Sequence, residues 1–170
     1  KFYFYAFLFV LTLLACFRYG VGPDYVAYQH LYTHLSDSIL DFKIIDGQEI
    51  LFQVLGTLAK TVNLSFEAFL AVLSIVSLYF VGKTCSKFSD FPLLSLILYY
   101  SAFYFVWVFS GVRQGLVLAV GVYYLLDCSL NKKNAKFFII TLFLMFIHAS
   151  AFILLVFYAI SKIRISVQFQ

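Results

Sequence analysis

Charge is what this sequence has least of. Only 12% of its 170 residues are Asp, Glu, Lys or Arg, while 64% are hydrophobic and the mean hydropathy is +0.96. Soluble domains are about 25% charged and about 45–50% apolar, so the composition excludes an ordinary soluble domain. Cysteine is sparse as well. Cys16, Cys85 and Cys128 are odd in number and widely spaced, which excludes a disulfide framework or a cysteine metal motif, and we assign them no chemistry. The net charge of +4 is small, and its lysines sit in short loops between apolar runs, so nucleic acid is not an expected partner. No internal repeat, low-complexity tract or separate soluble domain interrupts the pattern.

Aromatic and aliphatic residues fill the rest. The 22 Phe and 13 Tyr suit lipid contact and membrane interfaces. Apolar stretches run over 2–17, 50–62, 66–81, 91–109, 112–126 and 137–160. A helix rises about 1.5 Å per residue and a bilayer core is about 30 Å thick. The fourth and sixth runs can cross it, and the third and fifth can with flanking residues. The second is too short and is interrupted by Gln53, Gly56 and Lys60, so it reads as an interfacial or re-entrant helix.

Loop charges orient these runs. Segment 18–48 holds Asp24, Asp37, Asp41 and Asp46 against Arg18 and Lys43. The later loops hold Lys83 and Lys87, then Lys132, Lys133 and Lys136, and the tail holds Lys162 and Arg164. The positive-inside rule places the lysines in the cytoplasm and the acidic segment outside. That parity requires the second run to dip in and return. The last run is either one span or a hairpin bent near His148-Ala149-Ser150, whose half-length arms must line a cavity or pack in protein. Gly47, Gly82 and Pro92 read as loop and helix-end punctuation.

The expected fold is therefore all-α: a polytopic transmembrane helix bundle with short or re-entrant helices and one longer outer loop. Residues 1–170 form a single multi-pass domain. The chain opens Lys1-Phe2-Tyr3, without Met and inside an apolar run, so it is expected to be a fragment of a longer protein.

This topology gathers the remaining ionisable residues on the outer face, where such groups are functional candidates by default. Arg113 follows the turn at Ser110-Gly111. It either snorkels to the interface or clamps an anion, since a guanidinium matches phosphate oxygens bidentately. Gly111, Gly115 and Ala119 form a stripe for close helix packing, and Arg113 points away from it, on a face with Val117, Val120 and Tyr124. Arg18 ends the first helix, as an ordinary terminal arginine, an anion ligand or an ion-pair partner of Asp24. Gly20, Gly22 and Pro23 shape the turn that presents Asp24, a candidate base. His148 is a buried neutral histidine or a proton acceptor. Glu49 caps the following helix or takes part in catalysis. His30 and His34 are spaced one helical turn apart without a third ligand, so no metal is expected.

These residues fall into ordered motifs: Arg18–Tyr28 (RYGVGPDYVAY), Glu49 before an apolar helix, Ser110–Leu116 (SGVRQGL) and Ile147–Ala151 (IHASA). The set resembles the EpsG-like, Wzy-type polysaccharide polymerases of bacterial envelopes, over nearly the whole chain and roughly the first half of a typical member. Pro23 departs from the family's Gly-Thr-Asp pattern. The resemblance implies a multi-pass inner-membrane enzyme whose active face is periplasmic or extracellular. Its substrates would be oligosaccharides on undecaprenyl diphosphate, with membrane lipids and other polysaccharide-export proteins as partners. It needs no cofactor or metal. It implies catalytic roles for Asp24, His148 and Glu49. Arg113, Arg18, Tyr25, Tyr28 and Gln114 would bind substrate, with Tyr25, Tyr28 and Trp107 either stacking on sugars or anchoring at the interface. Rival readings are a polyprenyl-phosphosugar-dependent glycosyltransferase, a polysaccharide or lipid flippase, and a structural membrane subunit. A flippase would spread charge through the depth of several helices.

Overall fold

The computed structural model describes residues 1–162. The chain is all-helical, 78% helix with no strand among the described residues. Eight helices are named here in chain order: α1 (Phe2–Cys16), α2 (Tyr25–His34), α3 (Ile50–Thr61), α4 (Phe66–Phe88), α5 (Pro92–Tyr99), α6 (Val112–Leu130), α7 (Asn134–Met145) and α8 (Ile153–Ser161). α5 continues without a break as a π-helix over Tyr100–Ser110. Two helices, Phe66–Phe88 and Pro92–Ser110, are long and apolar enough to cross a membrane.

α4 and α6 are the central pair. One core cluster packs α2, α3, α7 and α8 around them; the other packs α1 and the α5–π helix. α4 starts at Ser65, whose Oγ accepts from the Ala68 N–H at 3.2 Å, with Glu67 in the first turn and Lys87 in the last. Gly82 was expected to end this helix. Instead the helix runs on to Phe88, and Gly82 lies where a Cβ would overlap Leu8 of α1. Its role is packing, and Lys83 and Lys87 are helical rather than looped. α6 likewise runs past 126 to Leu130.

Segment 18–48 is not simply a loop. It carries α2, whose buried face is Tyr25, Tyr28, Leu31 and Tyr32, a helical repeat obscured by the polar residues between them. Tyr32 stacks on Phe69 of α4 at 5.3 Å, and Gly56 of α3 lets Leu35 approach its backbone.

Within the π-helix, aromatic rings five residues apart meet tilted or edge-on, Tyr100–Phe105 at 5.6 Å and Tyr104–Phe109 at 5.5 Å. Buried Tyr104 donates its hydroxyl to the Leu11 carbonyl at 2.6 Å, pinning the widened turn to α1. Such turns recur at functional sites.

The last apolar run is broken. α7 ends at Met145, residues 146–148 turn, a single 3-10 turn covers Ala149–Phe152, and α8 doubles back. Phe137 at the start of α7 stacks on Tyr158 near the end of α8 at 4.7 Å, so the arms are antiparallel. This is the hairpin alternative. It returns Lys162 to the end where α7 begins; Arg164 lies outside the described residues.

The bundle thus has two distinct ends. At one, Lys87 pairs with Asp127 at 2.5 Å, joining the last turns of α4 and α6 beside the 132–136 lysines. At the other, Ser110 donates to Asp24 at 3.1 Å and Tyr25 donates to Glu67 at 3.2 Å. These bonds join the starts of α2, α4 and α6. Arg18, just past α1, donates to the Val108 carbonyl there too. Segment 18–65 therefore leaves and rejoins the bundle at one end, and α3 does not cross it.

Candidate active site

The site forms where three helix termini meet at the end opposite the lysines. α6 starts there after Gly111, and the close approach explains Gly115: a Cβ at that position would overlap the Trp107 carbonyl of the π-helix. The small-residue stripe therefore packs against the π-helix, and Arg113 is turned the other way, toward α2 and α3. Its guanidinium lies over the rings of Tyr28 and Phe52, 5.2 Å from each centroid, a favourable placement for a cation.

Glu49 immediately precedes α3, and His148 lies in the turn between the hairpin arms. The Leu51 N–H donates to the Phe146 carbonyl at 3.0 Å, fixing the start of α3 against that turn. The Glu49 carboxylate then spans two partners. One oxygen accepts from Arg113 Nη1 at 2.5 Å and the other contacts His148 Nδ1 at 2.6 Å. Gln48 Oε1 also accepts from Arg113 Nη1, at 2.9 Å. Burial alone would raise the Glu49 carboxyl pKa. The His148 hydrogen bond, a backbone hydrogen bond, Arg113 and the His148 charge outweigh it and hold the carboxyl below its ordinary value. The side chains of Arg113, Glu49 and His148 remain 20%, 23% and 28% exposed, open enough to meet a ligand.

Gln53 sets the loop that carries Gln48 and Glu49. It is fully buried. Its Oε1 accepts from the Ile45 N–H at 2.8 Å, and its Nε2 donates to the carbonyls of Ile45 at 2.9 Å and Gln48 at 3.0 Å. Sequence reasoning treated Gln53 as an interruption of an apolar run and passed over Gln48 and Phe52. A glutamine within a helical apolar face, four residues after Glu49, was the available signal.

Tyr28 packs under the Arg113 guanidinium; the other sequence candidates make none of the cluster's hydrogen bonds. Arg18 forms no ion pair with Asp24. It is buried, over the Phe109 ring at 5.5 Å, and its Nε and Nη2 have no partner among the described residues. Burial lowers its pKa from the usual arginine value, against smaller opposing effects of nearby tyrosines. Asp24 is exposed and accepts from Ser110, where it anchors the turn. Gly22 makes that turn, with a φ of 111° and a backbone so close to the Phe109 carbonyl that a Cβ would overlap it. Tyr25 and Tyr28 are buried core residues, so neither presents a free ring face to a sugar. Gln114 makes none of the cluster's hydrogen bonds.

The profile of the EpsG family matches residues 1–169. The chain belongs to the EpsG family. EpsG is a Wzy-like polysaccharide polymerase family, with a role in polysaccharide biosynthesis. No curated protein and no solved structure matches this EpsG chain. The motifs at 18–28, 49, 110–116 and 147–151 fall at the end of the bundle opposite the lysines. Of their charged residues, Glu49, Arg113 and His148 are in direct contact.

Proposed function

We propose that this EpsG chain carries the active face of a membrane glycosyl-polymerase. It joins undecaprenyl-diphosphate-linked oligosaccharide repeat units at the outer leaflet of the bacterial inner membrane. One observation carries the reading: Glu49 bridges Arg113 and His148, coupling a phosphate-matching cation to a proton acceptor. The apolar exterior supports the membrane setting, with Val72, Ile75, Ile97, Leu98, Phe103 and Phe105 exposed along the two long helices. The lysines at the opposite end support an outer location for the cluster. Its charges sit at one end, which favours chemistry at an interface over transport through the depth of the bundle.

In this scheme the acceptor hydroxyl oxygen bonds to the anomeric carbon of the donor. The bond from that carbon to the diphosphate oxygen breaks, and its electron pair leaves with the diphosphate. His148 takes the hydroxyl proton on Nε2, while Glu49 holds Nδ1 and so fixes the ring's orientation and tautomer. Arg113 exchanges Glu49 for the diphosphate, whose growing charge its guanidinium fork stabilises. Asp24 holds the turn, and His148 is the base.

Arg113→Ala in the full-length protein tests this reading by polymer length, with membrane insertion checked separately. Loss of long polymer from an inserted protein is expected, and polymer of normal length would remove the clamp.

A further inference from the structure

Beside the cluster, the outer side of α2 faces the 45–48 loop across an open trough of about 880 Å³, lined by Val26, His30, His34, Ile45 and Gln48 among others. A smaller hollow of about 390 Å³ continues it past Asp37 and Asp41, sharing His34 and Ile45. We infer that this trough seats the acceptor glycan, an uncharged oligosaccharide whose terminal hydroxyl is delivered to His148. The inference rests on the polymerase reading and adds the second substrate's position to it.

Three observations support it. The trough adjoins the cluster through one residue, since Gln48 both lines it and accepts from Arg113. A ligand at the Gln48 end of the trough is therefore next to the residue that contacts the clamp. The lining also has the mixed chemistry that sugars require. Val26 and Ile45 offer apolar surface to ring C–H faces, while imidazoles and an amide offer hydrogen bonds to hydroxyls. The His30 and His34 rings pack against each other, with centroids 4.1 Å apart and planes tilted by 33°. His34 Nδ1 contacts the His30 carbonyl at 2.8 Å, and its Nε2 has no hydrogen-bond partner among the described residues. The third observation is charge. Among the described residues no Lys or Arg lines the larger trough, and Lys43 of the smaller hollow sits with Asp37 and Asp41, whereas Arg113 provides a cation at the cluster.

The test uses the full-length protein in lipid nanodiscs. The probe is a set of short oligosaccharides cut from the cell's own polysaccharide by mild acid, free of lipid and phosphate, with binding read by saturation-transfer NMR. Val26 is 71% exposed, so Val26→Trp fills the trough without touching the core. Val26→Trp and the double variant His30→Ala/His34→Ala are each expected to weaken binding about ten-fold or more, while Arg113→Ala stays within about two-fold of wild type. Wild-type binding in both trough variants, or no binding by the wild type, would overturn the inference. Normal polymer from Arg113→Ala alongside intact, trough-dependent sugar binding would sink the polymerase reading alone.

Discussion

Glu49 and His148 lie 99 positions apart in sequence, yet a carboxylate oxygen of one sits 2.6 Å from Nδ1 of the other. The contact closes a gap between a loop before α3 and the turn of the α7–α8 hairpin. Because Arg113 holds the second oxygen, Glu49 touches both the anion clamp and the base.

The depressed Glu49 carboxyl gives a pH signature. A carboxyl whose folded-state pKa is lowered stabilises the fold above the ordinary carboxylate range, about pH 4.3, and that stability drains as pH falls through the folded value. The melting temperature of the detergent-solubilised protein is therefore expected to fall on acidification from pH 6 to below about 4. Glu49→Gln should flatten that fall. Parallel curves for the two proteins would contradict the assignment.

Gln53 is expected to act through the loop it holds. Gln53→Leu removes three hydrogen bonds to 45–48 and should cost on the order of 1–3 kcal/mol in urea or thermal unfolding. Gln53→Glu keeps the acceptor for the Ile45 N–H but loses both donations, so it should not rescue. An unchanged unfolding midpoint in Gln53→Leu would show that the loop is held by other contacts.

Gly22 makes a sharper case. Gly22→Ala places a Cβ against the Phe109 carbonyl at a φ of 111°. It should destabilise by about 1–3 kcal/mol and separate Asp24 from Ser110. Gly20→Ala also has positive φ but meets open space, so it should cost less. Equal losses in thermal unfolding would mean that conformational strain alone, rather than the contact with the π-helix, sets the cost.

Sidedness can be read by labelling. Leu40 is 91% exposed at the site end, and Lys133 is exposed at the other. In intact cells, Leu40→Cys should react with a membrane-impermeant maleimide and Lys133→Cys should not. Labelling of Lys133→Cys would place the cluster on the cytoplasmic side.

Much of this arrangement was legible in the sequence, for identifiable reasons. Apolar runs locate helices because burial and lipid contact both demand them, and lone charges between such runs mark Arg113, Glu49 and His148 but equally Arg18 and Asp24, which bond elsewhere. The hairpin could be named but not chosen, since an apolar run looks the same straight or bent. α2 was missed because exposed apolar Val26 and Ala27 sit between its buried Tyr25 and Tyr28, polar Gln29 and His30 follow, and a Gly-Pro turn lies next to it. Gly82 was misread because a glycine that admits Leu8 and one that ends a helix are identical in sequence. Gln53 was invisible as a functional residue, since its three partners are backbone atoms.

The most direct measurement is the polymerisation rate of Glu49→Gln, His148→Ala and the double variant, each in the inserted full-length protein with lipid-linked repeat units. Each single loss is expected at about 10²–10⁴-fold, and the double variant should be no slower than the worse single, because one residue works only through the other. Losses that multiply in the double variant would mean that Glu49 and His148 act separately, and the bridged unit would have to be abandoned.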